Sequence, residues 1–132
     1  MNADTILWAS IALMTVHVSI TDAFVVHGRY TLSSKHLLNI LIHQFVIIGA
    51  ILGLLFQGTS HIKAHLCLIS MIILTWLWFG ECFMGAWQRL NIGYSREDFA
   101  VIQKPPGRRF AECLGMVIPM LLIDLYKLRG SL

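Results

Sequence analysis

Charge is what this sequence has least of. Asp, Glu, Lys and Arg make up 13% of its 132 residues, about half the share of a soluble domain. The ten Lys and Arg against seven Asp and Glu leave a net charge of +3, and the basic residues are scattered between apolar runs. A nucleic-acid surface, which needs Lys and Arg clustered on one face, is excluded. The three cysteines, Cys67, Cys82 and Cys113, are odd in number and lie in apolar stretches. They read as small buried hydrophobes and not as a disulfide framework. Also missing are a phosphate-binding glycine loop, a Cys-x-x-Cys pair, a Ser-His-Asp arrangement, a potassium-filter sequence, an internal repeat and any water-exposed segment long enough to fold as a soluble domain. No catalytic residue is assigned, and no catalytic activity of its own is expected.

What is present is hydrocarbon. Hydrophobic residues are 57% of the chain and the mean hydropathy is +0.72, the balance of an integral membrane protein. Four apolar runs predict helices over 5–26, 35–57, 61–87 and 110–126. A span needs about 20 residues, within a range of about 17–25. The first three runs meet that comfortably. The fourth is short and carries Glu112 near its start and Pro119 in its middle, so a helix kinked at Pro119 is expected there. The expected fold is an all-α, four-helix transmembrane bundle, one domain over residues 1–132. The first run lacks a basic leader and a small-x-small cleavage site, so it is expected to stay in the protein. Asp4 is the expected N-cap of that first helix.

The connections differ. "GTS" (58–60) is a tight reversal, and "HGRYTLSS" (27–34) is a polar turn. The long loop 89–109 holds Ser95 and Asp98 at capping-box spacing, which predicts a short interfacial helix within it. Arg29, Lys35, Arg89, Arg96, Lys104, Arg108 and Arg109 lie on one side of the membrane, and Lys63, Lys127 and Arg129 on the other. The excess puts the 27–35 and 89–109 loops in the cytoplasm and both termini outside. Arg89, Arg96, Lys104, Arg108 and Arg109 form a basic surface suited to anionic head groups or another subunit.

The chemistry-bearing residues are those inside the spans. Glu81 sits in "TWLWFGECFMGAW" (75–87). His17 lies nine residues before Val26, His43 eight after Lys35 and Glu81 eight before Arg89. At about 1.5 Å per residue all three fall roughly 12–14 Å from one surface. That predicts a shared layer in which Glu81 faces His17 and His43 and not lipid. Three readings of the layer stand: a structural clasp between helices; a haem b or transition-metal site on His17 and His43, with Glu81 and Cys82 as further metal ligands; or a proton or ion path through His43 and Glu81. His61 and His65, at i and i+4, read as an exposed, solvated helix end. Asp22 and Asp124 read as span-end residues within reach of water. Gly49 and Gly53 form a GxxxG pair, and Gly80 and Gly85 thin the third helix, so these four mark helix packing. The most direct function is a small accessory or structural subunit of a larger membrane complex, in contact with lipid and with other transmembrane subunits.

Overall fold

The computed structural model describes residues 1–27, 34–80, 87 and 108–131. The described residues contain no strand and four helices: α1 (Ala3–His27), α2 (Ser34–Leu52), α3 (Thr59–Phe79) and α4 (Arg108–Leu128). Single 3-10 turns follow α2, at Gly53–Leu55, and α4, at Arg129–Ser131. Three helices are long and apolar enough to cross a membrane, over Ala3–Ala23, Leu37–Leu55 and Thr59–Phe79. α4 is not among them. Glu112, Asp124 and Lys127 interrupt its apolar stretch, although Pro119 is accommodated inside the helix.

The chain divides into two compact units, Met1–His65 and Leu66–Leu132, with the boundary inside α3. In the first unit α1 and α2 form an antiparallel hairpin. Asp4, at the start of α1, bonds the turn after α2, and Asp22, near its end, bonds Gln44 within α2. Ile11, Ile40, Ile48, Ala50 and Phe56 are buried in this unit. In the second unit Ile69, Trp76, Val117, Leu128 and Asp124 are buried, Asp124 with 0% of its surface exposed.

The distribution of polarity runs opposite to that of a water-soluble fold. Leu13, Met14, Val16, Ile20, Ile51, Met71, Leu74, Leu122 and Ile123 are exposed, whereas Asp4, Thr15, Ser19, Asp22, Asn39, Gln44, His65 and Asp124 are buried. Asp22 and Asp124 are therefore not the water-reached residues their span-end positions suggest. α4 shares this reversal, with an exposed face of Met116, Ile118, Leu122, Ile123 and Leu125 around its buried Asp124.

Two helix ends differ from the sequence reading. α1 is capped by Asn2, whose Oδ1 accepts from the Thr5 N–H at 2.8 Å and the Thr5 hydroxyl at 2.7 Å. Asp4, the expected cap, lies inside the helix. α3 stops at Phe79 and does not run to Trp87 as one helix. Gly80 takes φ 69°, the left-handed conformation that glycine enters without a Cβ penalty, and its N–H donates to the Trp76 carbonyl at 2.9 Å. That single closing bond is a standard helix ending. Gly80 thus terminates the helix and does not thin its middle, so the depth count that carried Glu81 along a continuous third helix does not hold.

Candidate functional site

The polar groups of the first unit gather in two places. The larger gathering lies where the α2–α3 turn meets the start of α1. Helix termini leave N–H and C=O groups without intrahelical partners, and this turn supplies both kinds. The Gln57 and Gly58 N–H groups donate to the two Asp4 carboxylate oxygens, at 3.0 and 2.8 Å. The Gly58 carbonyl accepts from Ile62 at 2.9 Å, so Gly58 is the residue that opens α3. A carboxylate placed against a helix N-terminus also gains from the helix dipole. Asp4 therefore caps α3 across space.

His61 and His65 close the same corner. The Trp8 indole Nε1–H donates to His61 Nδ1 at 3.0 Å. An accepting Nδ1 leaves the ring proton on Nε2, and Nε2 faces Asp4 Oδ2 at 3.9 Å. Phe56 packs against both rings, 4.9 Å from Trp8 and 5.5 Å from His61 between centroids. His65 is 2% exposed and its Nε2 donates to the Ala50 carbonyl at 2.8 Å. Ala50 sits in the last turn of α2, where carbonyls lack helical partners, so His65 caps α2 as Asp4 caps α3. Both histidines of "HIKAH" are thus drawn into the fold, His65 fully, and not left at a solvated end.

Gly53 makes that second cap possible. A Cβ on Gly53 would run into the His65 imidazole. Gly53 is buried as the GxxxG reading requires, yet the space it leaves is filled by a side chain of α3 and not by a neighbouring backbone. Gly49 is buried in α2 as well.

The second gathering lies between α1 and α2. Gln44 Nε2 donates to Asp22 Oδ2 at 2.6 Å, buried. Thr15 and Ser19 line the same face of α1, both buried. Thr15 returns its hydroxyl to the Ile11 carbonyl at 2.7 Å.

His17 does not join this seam. It follows Thr15 by two residues, roughly 160° round an α-helix, and it is exposed. His43 is half-buried on α2 and has an interaction of its own. His17 is thus off the face of α1 that packs on α2. Among the described residues, no three of His, Cys, Asp or Glu converge as a metal group. Glu81, Cys82, Gly85, Arg89, Arg96, Lys104 and the interfacial helix expected in 89–109 lie outside the described residues. Arg108 and Arg109 open α4, with side chains outside the described set. Cys67 is exposed and Cys113 half-buried, so Cys67 is not the buried hydrophobe expected of it.

Sequence reasoning missed Asp4, Asp22 and Gln44 as the residues that join elements. One signal was available: Asp4, Trp8, Ile11, Thr15 and Asp22 recur at intervals of three, four and seven, which places both acids on one helical stripe. Chemically, the two gatherings cap helix ends and join helices: the contacts of Asp4, Asp22, Gln44, His61 and His65 each hold one element to another. The chain matches no family model, and neither a curated protein nor a solved structure is significantly similar to it.

Proposed function

We propose that this chain is a multi-pass integral membrane protein serving as an accessory, structural subunit of a larger membrane assembly. One observation carries the membrane part: its polar side chains are inside and its large aliphatic side chains outside. In lipid this arrangement is favourable, because the outer surface meets hydrocarbon while acids and amides pair internally. The reversal extends to α4 through buried Asp124, which supports a fourth membrane helix despite its charged ends. With four spans the termini share a side, and the positive-inside count puts that side outside and the 27–35 and 89–109 loops in the cytoplasm.

The subunit role rests on the use made of the buried polar groups. Asp4, Asp22, Gln44, His61 and His65 fix helix ends and helix pairs, which is scaffold work. Purification from native membranes in mild detergent, followed by mass spectrometry, tests the reading. Stoichiometric co-purifying membrane subunits are expected; a lone monomer overturns the subunit role, and release from membranes by alkaline carbonate overturns the membrane reading as well.

A further inference from the structure

His61 stands between two partners that need it in different protonation states. Its Nδ1 accepts the Trp8 indole N–H at 3.0 Å, which only an imidazole bare at that nitrogen can do. Its Nε2 faces Asp4 Oδ2 at 3.9 Å, too long for a hydrogen bond but close for an opposite charge. The Phe56 ring stacks on the imidazole with 28° between the planes, and an aromatic face attracts a cation. Gly58 keeps the space open. A Cβ there would fall 2.7 Å from Asp4 Oδ2 and 2.9 Å from His61 Cδ2, so a bare Cα lets the carboxylate and the ring stand side by side. The His61 side chain is 33% exposed and belongs to the first turn of α3, which leaves it open to protons at the end of the helix. The groups that titrate around it are few. α1 brings Asp4. α2 and the turn after it bring none between Gln44 and Ser60. In α3 itself His65 lies one turn on, against Phe56 and bonded to the Ala50 carbonyl, while Lys63 lies roughly 160° round the helix.

We propose that the Trp8–His61–Asp4 corner is a pH-operated switch. Neutral His61 ties α3 to the second turn of α1 through Trp8; protonated His61 gives up Trp8 and ties α3 to the start of α1 through Asp4. The proton adds to Nδ1, the ring nitrogen that carries no hydrogen while it accepts from Trp8. The imidazolium then has an N–H on both sides and no acceptor. The indole N–H and the new Nδ1–H confront each other as two donors, so the bond to Trp8 opens. On the other side Nε2–H now carries charge toward a carboxylate. A charge-assisted bond of that kind is shorter and stronger than a neutral one, and the ring has to close by about 1 Å to make it. What the indole loses is offset by the charge against Asp4 and the Phe56 face. Asp4 Oδ2 is also the oxygen that accepts from the Gly58 N–H, so the exchange reaches the cap of α3. Histidine changes charge between about pH 5 and 8, which sets the range over which the switch works. All of these residues belong to one compact unit, and the exchange requires neither the membrane nor the subunit reading.

Nuclear magnetic resonance of the full chain in mild detergent tests the exchange. The protein is labelled with nitrogen-15 in its tryptophans and histidines, and the Trp8 and His61 signals are assigned by Trp8→Phe and His61→Gln. At high pH the His61 ring is expected to carry its proton on Nε2 alone. As the pH falls, Nδ1 should gain a proton in one step with a midpoint between about pH 5 and 8, and the Trp8 indole proton should move upfield, the direction of a lost acceptor, with the same midpoint. His61→Gln keeps an acceptor oxygen and does not titrate, so in that variant the Trp8 signal should hold its high-pH position throughout. A Trp8 signal that stays put while His61 is protonated overturns the switch. So does a step that survives in His61→Gln, a step that follows the His65 ring and not the His61 ring, or a His61 ring still neutral at pH 5. If His61→Gln fails to fold, the two midpoints in the unsubstituted protein decide by themselves. None of these signals depends on co-purifying subunits or on membrane retention, so either earlier proposal can fail and leave the switch standing.

Discussion

Trp8, in the second turn of α1, donates its indole N–H to Nδ1 of His61, in the first turn of α3, at 3.0 Å across 53 residues of chain. The bond fixes the imidazole so that its other nitrogen faces Asp4. Two substitutions separate the bond from the ring packing. Trp8→Phe keeps an aromatic ring against Phe56 and removes the donor. His61→Phe keeps a ring and removes the acceptor, leaving the indole N–H without it. A net hydrogen bond is worth about 0.5–1.5 kcal/mol, and on the membrane reading an indole N–H left facing hydrocarbon without its acceptor costs more. His61→Phe should therefore lower the thermal midpoint in detergent more than Trp8→Phe does, and it should change the Trp8 emission spectrum. Equal midpoints would show that the bond contributes nothing beyond packing.

Asp4 holds two backbone N–H groups of the α2–α3 turn. Bonds to a charged group contribute about 1.5–3 kcal/mol each before non-additivity. Asp4→Ala is expected to destabilise the protein by about 2–3 kcal/mol. Asp4→Asn, with one acceptor oxygen left, should fall between. Increased hydrogen exchange at Gln57 and Gly58 in Asp4→Ala, measured by mass spectrometry, locates the effect at the turn; unchanged protection there contradicts it.

Gly53 and His65 form a space-and-ring pair. Gly53→Ala forces the imidazole off the Ala50 carbonyl and should cost about 1–3 kcal/mol, the usual range for overpacking. In the Gly53→Ala/His65→Ala double variant the added methyl has room. The two substitutions should then be less than additive, with a coupling of about 1 kcal/mol or more. Strict additivity in a denaturation cycle would mean that Gly53 is needed for some other reason.

Gln44 supplies a donor to Asp22 inside the α1–α2 seam. Gln44→Leu takes that donor from a buried carboxylate, an asymmetric loss of about 3 kcal/mol. Replacing both residues, Asp22→Leu with Gln44→Leu, removes the polar pair together and should be milder than Gln44→Leu alone. Resistance to unfolding by mixed detergent ranks these two variants and the unsubstituted protein, and a double variant weaker than Gln44→Leu would refute the pairing as a net liability when broken.

Composition and run length were enough to read helices, their approximate number and their affinity for a membrane, because apolar side chains in runs of about 20 have few other places to go. The short reversal at 58–60 was legible too, since Gly58 and Ser60 interrupt an otherwise continuous apolar pattern. Gly80 was visible in the sequence but not its meaning: a glycine tolerated inside an apolar helix and one that ends it differ only in φ.

Partnership was decided by tertiary structure. Local spacing made Asp4 a cap for its own helix, and the fold gave that task to Asn2 and turned Asp4 to a helix end 53 residues away. Equal depth suggested that His17 would meet His43, but depth along a helix says nothing about the angle around it. That angle was set by which stripe of α1 packs on α2, and the stripe holding Thr15, Ser19 and Asp22 does so while His17 points elsewhere. The sequence by itself determined that these acids and imidazoles must leave hydrocarbon for one another. Only the three-dimensional packing decided which of them meet, because hydrogen bonds between helices depend on rotation and register that no one-dimensional spacing contains.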